Sequence, residues 1–179
     1  MSDDAGSRAD DAAQARRLLE EWTTKPAFVG DRHLTVVAAN ELARAISPGF
    51  VEGVNLVRFA FLDQSGNEPW PECSQNARQV AALLRESLDR NPDDSSYREI
   101  VGELSAKSRD FSSAWAEERP STASGWARFR NDVVGDLTLS YQVLGNDADG
   151  VVVVWDARDA GSQLALARLT ELVSGAAES

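Results

Sequence analysis

Two hydrophobic periods share this chain, and the places where they change divide it into elements. Two short apolar runs, Ala27–Val29 and Leu34–Ala38, flank the polar turn Gly30-Asp31-Arg32-His33. Runs of this length bounded by turn residues predict two strands. The second run feeds Asn40-Glu41-Leu42-Ala43-Arg44-Ala45-Ile46, which reads as a helix stopped by Pro48 and Gly49. Val54–Leu62 is densely apolar but irregular, and it carries Asn55 and Arg58. A short helix is expected there. Asp63–Asn67 is turn chemistry, and Pro69 and Pro71 extend the break.

Helical spacing then takes over. Ala77, Val80, Ala81, Leu84 and Leu88 form one stripe, ended by Asn91-Pro92-Asp93-Asp94. Ser96-Tyr97-Arg98-Glu99 fits a capping box, serine hydroxyl and Glu99 carboxylate each taking an orphan helix donor. Tyr97, Ile100, Val101, Leu104, Ser108, Phe111 and Trp115 continue the face to Pro120, with room for a break near Ser108–Asp110.

The last third returns to strands. Ser124–Arg130 is short and aromatic. In Asp136–Leu144, Leu137, Leu139, Tyr141 and Val143 alternate with Asp136, Thr138, Ser140 and Gln142, as in a half-buried antiparallel strand. Gly145–Gly150 reads as a hairpin loop. Val151–Trp155 is a continuous run, expected of a strand covered on both faces. Ser162 can cap a final helix with Ala165, Leu166, Leu169, Leu172 and Val173 inward.

At the other end, residues 1–9 read as a disordered tail. A helix from Asp10 places Ala12, Ala15, Leu19 and Trp22, joined by Leu18, on one face. That stripe suits either its own domain or a second copy. The expected organisation is a tail at 1–9, a linker or dimerisation helix at 10–25, and one domain at 26–176. Its class is α+β: a five-stranded antiparallel sheet, an enlarged helical layer on one face, and flanking N- and C-terminal helices.

Composition narrows the function. The chain has 179 residues, a net charge of −11 and a 42% hydrophobic fraction. The charge disfavours direct nucleic-acid binding, which needs clustered Lys and Arg, and docking on anionic lipid. One cysteine (Cys73) excludes an intrachain disulfide, and one histidine (His33) excludes a Cys/His zinc cage. No signal peptide or membrane-length apolar stretch is visible, so the expected location is the cytoplasm. The segment 145–150 has a faint likeness to a calcium loop but lacks its first carboxylate. No phosphate loop, Gly-x-Ser-x-Gly or paired-carboxylate pattern stands out, and neither a cofactor nor a metal is expected.

Several segments in register carry a resemblance. They are Leu18-Leu19-Glu20-Glu21-Trp22 before Pro26-Ala27-Phe28-Val29, then Val36–Ala43, Asn55–Phe61 and Ala77–Arg85. The Pro92-Asp93-Asp94 turn, Leu104–Phe111, Trp115 and Val134–Leu139 follow. Together, from Leu18 to Leu172, they resemble the ligand-binding domain of MmyB-like transcription regulators, a PAS-like domain of actinobacterial XRE-type helix-turn-helix proteins. Where the family often has His-Pro before the Gly-x-Leu strand, this chain has Asn131-Asp132-Val133-Val134. The ~17 residues before the resemblance leave no room for the helix-turn-helix domain, so a free-standing sensor is expected.

The resemblance implies a pocket between sheet and helices for a small apolar or amphipathic, fatty-acid-like ligand, and transcriptional output through a partner. The candidate ligand contacts are Asn40, Arg58, Phe61, Leu84, Trp115, Phe129 and Tyr141. Each has a plainer reading. Asn40 can be a helix cap, Arg58 can pair with Asp63, and the aromatics, Phe59 and Trp126 among them, can be core. His33 is expected to be exposed and without a catalytic partner, and Cys73 to lie in a loop. Homodimerisation or regulator docking is assigned to Leu19 and Trp22. A ligand-free dimerisation module is the competing function; no catalytic residue is proposed.

Overall fold

A computed structural model describes residues 13–63, 71–145 and 150–177. Helix α1 spans 13–20. Strands β1 (Ala27–Gly30) and β2 (Val36–Ala39) follow, then α2 (Glu41–Ile46), a 3-10 turn (Pro48–Phe50), α3 (Leu56–Arg58) and a π-turn (Phe59–Asp63). The helical layer continues with α4 (Pro71–Arg90), α5 (Ser96–Lys107) and α6 (Arg109–Ala116). Strands β3 (Ser124–Asn131), β4 (Gly135–Gly145) and β5 (Val151–Ala157) lead to α7 (Ala160–Ala177).

The five strands form one antiparallel sheet in the order β2-β1-β5-β4-β3. The class is therefore α+β, as expected. The tail at 1–9, the helix onset at Asp10, the turn residues 64–67 and the loop residues 146–149 lie outside the described residues.

Strand alternation sorts the sheet into two faces. Phe28, Val36, Leu137, Leu139, Tyr141, Val151, Val153 and Trp155 join the main core with α2, α4, α5, α6 and α7. Ala27, Val29 and Ala38, with Val152 and Val154 beside them, form a smaller core under Ala15, Leu19 and Trp22 of the α1 segment. The β5 run is thus covered on both faces. Leu19 is only 2% exposed, seated on its own domain. That corrects the expectation of a dimer surface built on Leu19. Leu18, by contrast, turns outward.

Other local expectations shift for identifiable reasons. The second strand begins at Val36, because Leu34 has a left-handed backbone (φ 62°). Such a conformation is costly for a branched side chain. Asp31 holds the turn: its Oδ1 accepts from the N–H groups of His33 and Thr35, each at 2.9 Å.

The α5 capping box does not form. Ser96 is the first helical residue, and Asp94 Oδ1 accepts its N–H at 2.9 Å. The predicted break is at Ser108, whose hydroxyl caps α6 by accepting from Phe111 N–H. Ser162 does not cap α7. Asp159 accepts the Ser162 N–H and hydroxyl, while Ser162 Oγ accepts from Thr138 N–H at 2.8 Å. Leu172 is exposed rather than inward. Helix α4 begins at Pro71, where proline suits a first turn, so Cys73 lies on a helix and not in a loop.

His33 is half-buried, not exposed. Its Nε2 lies 2.8 Å from Asp94 Oδ2 and its ring packs on Tyr97 at 4.7 Å. Tyr97 OH in turn bonds Ser87 Oγ and donates to the Arg32 carbonyl. This group ties the β1–β2 turn to the α4–α5 junction. Among the described residues no helix is long and apolar enough to cross a membrane.

Candidate functional site

A cavity of about 590 Å³ lies between the inner face of the sheet and the helical layer. That is within the size of small-molecule sites, and apolar groups dominate its wall. Its floor comes from alternate positions on neighbouring strands: Phe28, Phe129, Tyr141, Val151, Val153 and Trp155. Its roof comes from the 3-10 turn, the π-turn and one face of α4, with Phe50, Phe59, Phe61, Val80 and Leu83.

Aromatic rings shape the floor. Phe50 stacks on Phe28 with centroids 4.7 Å apart. Trp155 is bracketed by Phe50 at 5.6 Å, Phe129 at 5.1 Å and Tyr141 at 5.1 Å. The last two meet it edge to face, a favourable arrangement of ring quadrupoles. Gly125 lets the Tyr141 ring lie flat across β3, since a Cβ there would sit 2.6 Å from its Cζ. Burial pushes the Tyr141 phenol above its ordinary value, against a smaller opposing hydrogen bond from Thr122.

Polar groups collect around the wall rather than across it. Asn76, Arg78, Gln79, Asp110, Arg128 and Arg130 all contribute to the lining. Arg78 Nε lies 3.3 Å from Glu117, and Arg130 Nε lies 3.7 Å from Asp136. The described lining contains no histidine and no cysteine. Among the described residues no cluster of three or more His, Cys, Asp or Glu could hold a metal ion.

Of the residues singled out from the sequence, Phe61, Phe129 and Tyr141 line this cavity. Leu84 is fully buried in the core beside the lining residue Leu83. Trp115 lies one ring removed from the wall. It stacks on Phe111 at 5.4 Å, and Phe111 meets Phe61 at 5.2 Å. The Arg85 guanidinium lies over the Trp115 ring, 4.2 Å from its centroid, and donates to the Trp115 carbonyl.

Arg58 does not line the cavity. Its Nε donates to Glu103 Oε2 at 2.8 Å, so its partner is Glu103 and not Asp63. Hydrogen bonds from Lys107 and Arg58 hold the Glu103 carboxyl below its ordinary value. Asn40 is also elsewhere, with its amide committed to the backbone. Oδ1 accepts from Ala43 N–H at 2.9 Å and Ala27 N–H at 3.1 Å; Nδ2 donates to the Trp22 and Lys25 carbonyls. The cap reading is the one realised.

Phe28, Phe50 and Trp155 escaped attention. Trp155 was signalled by period two along Val151, Val153 and Trp155. Phe50 had no such signal, because it follows the helix-stopping Pro48-Gly49 and its position depends on the tertiary turn.

No curated protein shows significant similarity to the chain. The sequence model of the MmyB-like transcription regulator ligand binding domain matches residues 12–172, from the start of α1 through most of α7. With nearly the whole chain matched and a roomy aromatic cavity in place, the protein belongs to the MmyB-like transcription regulator ligand-binding domain family.

Proposed function

We propose that this protein is a PAS-like sensor that binds one small amphipathic, fatty-acid-like molecule and passes occupancy to a transcription-regulating partner. The observation that carries this is the aromatic-floored cavity between sheet and helices. Family membership supports sensing. The strand order, with the main helical layer on one face, supports the PAS-like reading. An apolar chain fits among Phe28, Phe61, Leu83 and Val153. An acidic head would exchange the Glu117 partner of Arg78 for its own carboxylate, a contact arginine makes well. This moves the anion-binding role away from Arg58.

Output runs through the sheet. In β1 and β5, Phe28 and Val153 face the cavity while Val29, Val152 and Val154 face the α1 segment. A ligand that favours one setting of these strands shifts the docking equilibrium of α1 by its differential affinity. The partner reads that shift in the cytoplasm, where a bacterial chromosome is transcribed. The site is for binding and not for turnover. A ligand-free dimerisation module through Leu19 and Trp22 is less well supported, because Leu19 is buried in its own domain.

Native mass spectrometry of the purified protein, paired with titration of the neutral fluorophore N-phenyl-1-naphthylamine, tests the proposal. A bound lipid-like mass, or saturable fluorescence displaced by dodecanoate, is expected. A clean apo mass with no fluorophore binding overturns it.

A further inference from the structure

Trp155 stands apart on the cavity wall. It is 7% exposed, and its indole Nε1 is shut off from solvent with no hydrogen-bond partner among the described residues. No other described side chain has a buried nitrogen or oxygen left in this state. A buried donor without an acceptor forfeits its hydration and gains nothing in return, so native structures rarely keep one without a use. A phenylalanine would fill much of the same apolar space without that cost.

The surroundings indicate what the donor can take. Trp155 lies on β5, the central strand, with its backbone N–H bonded to the Pro26 carbonyl at 2.8 Å. The indole is therefore held by the sheet. The rings around it, Phe50, Phe129 and Tyr141, also line the cavity. A ligand that displaces one of these rings reaches the indole edge. Phe50 belongs to a three-residue turn, and Phe129 to the edge strand β3, so both have neighbours that can give.

We infer that Trp155 is a specificity-determining residue, whose indole N–H donates to a neutral oxygen acceptor within the ligand. The chemical class is an apolar molecule carrying a ketone, ester or lactone carbonyl. A carboxylate is excluded at this point because one neutral donor among aromatic rings cannot offset burial of a full charge. An acidic head belongs with the arginines of the wall. The inference rests on the cavity being a ligand site.

The experiment separates the two. N-phenyl-1-naphthylamine, which has no carbonyl, reports on the cavity itself. Displacement of this probe by 2-undecanone and by undecane is compared in the wild-type protein and in Trp155→Phe. Trp155→Phe should bind the fluorophore. The ketone-to-undecane affinity ratio should be roughly 2- to 12-fold higher in the wild type than in Trp155→Phe, the value of one net hydrogen bond. Comparing the ratio between the two proteins cancels the different cost of taking each molecule out of water.

In the wild type, the Trp155 indole proton, assigned by triple-resonance NMR, should move downfield with 2-undecanone and not with undecane. This reading does not depend on the variant folding. An equal preference in both proteins, or an indole proton unmoved by saturating ketone, overturns the inference and leaves N–H···π contact with Phe129 or Tyr141 as the account. Failure of the fluorophore to bind wild type, together with a clean apo mass, overturns the sensor reading, and this inference with it.

Discussion

Arg16 of α1 grips Glu52, just past the 3-10 turn, at two points: Nη2 to Oε2 at 2.7 Å and Nε to Oε1 at 3.2 Å. The pair fastens the helix on the outer face of the sheet to the segment that carries Phe50 to the inner face. The Arg16 hydrogen bonds hold the Glu52 carboxyl below its ordinary value, against a smaller cost of burial. A depressed carboxylate contributes stability that is present above its unfolded value near 4.5 and lost as pH falls through the folded one. At the surface, where water screens the charges, the pair contributes little to global stability and acts on the docking of α1. The Trp22 indole NMR shift should therefore drift toward its undocked value as the solution is acidified below about pH 4.5. Glu52→Gln should start nearer that value and drift less.

Leu19 is the main apolar anchor of α1. Truncation to alanine should cost about 2–5 kcal/mol, since a buried side chain is lost and the space it leaves closes only in part. The loss should be local. Amide exchange should rise in α1 while β4 and β5 keep their protection. Equal loss of protection across the sheet would show that α1 is part of one cooperative unit and unsuited to signalling.

Asn40 separates a structural role from a ligand role. Asn40→Ala removes four hydrogen bonds that join α2, β1 and the α1–β1 connection. A loss of about 2–3 kcal/mol in urea unfolding is expected, from the cap and the bridging bonds together. Fluorophore affinity of the folded protein should stay within about twofold of wild type, because the side chain does not line the cavity. A tenfold loss of affinity at unchanged stability would restore the ligand reading.

Gly125→Ala tests the floor from its outer edge. The new methyl would meet Tyr141 at its hydroxyl, 2.5 Å, and at Cζ, 2.6 Å. The ring must turn, at a cost of about 1–3 kcal/mol for overpacking. It turns toward the cavity, so fluorophore binding should weaken. Adding Tyr141→Phe relieves the hydroxyl contact but not the ring contact, and should restore stability only in part. Adding Tyr141→Ala should restore binding.

Element by element, local pattern carried far. The alternation of Leu137, Leu139, Tyr141 and Val143 was legible because a half-buried strand must repeat every two residues. The α4 stripe was legible for the corresponding reason at helical period. Capping was less legible. Ser96 and Ser162 have the right chemistry, but Asp94 and Asp159 stand nearby and, as charged acceptors, took the orphan donors. Phe61, Phe129 and Tyr141 reached the cavity wall because aromatics concentrate where large apolar area is buried. Arg58 and Asn40 did not. Short-range pattern cannot tell which distant carboxylate or carbonyl will come within 3 Å.

From the sequence alone came the class of fold, the number and nature of the strands and the family likeness. These depend on period, composition and local motif, all properties of neighbouring residues. Tertiary structure alone decided which face each residue meets. It seated Leu19 on its own sheet and paired Arg58 with Glu103 across the helical layer. It also brought Phe28, Phe50, Phe129, Tyr141 and Trp155 together around one space from five separate segments. The orphaned indole N–H belongs to this second kind of knowledge. A donor becomes unsatisfied only when everything packed around it has been placed.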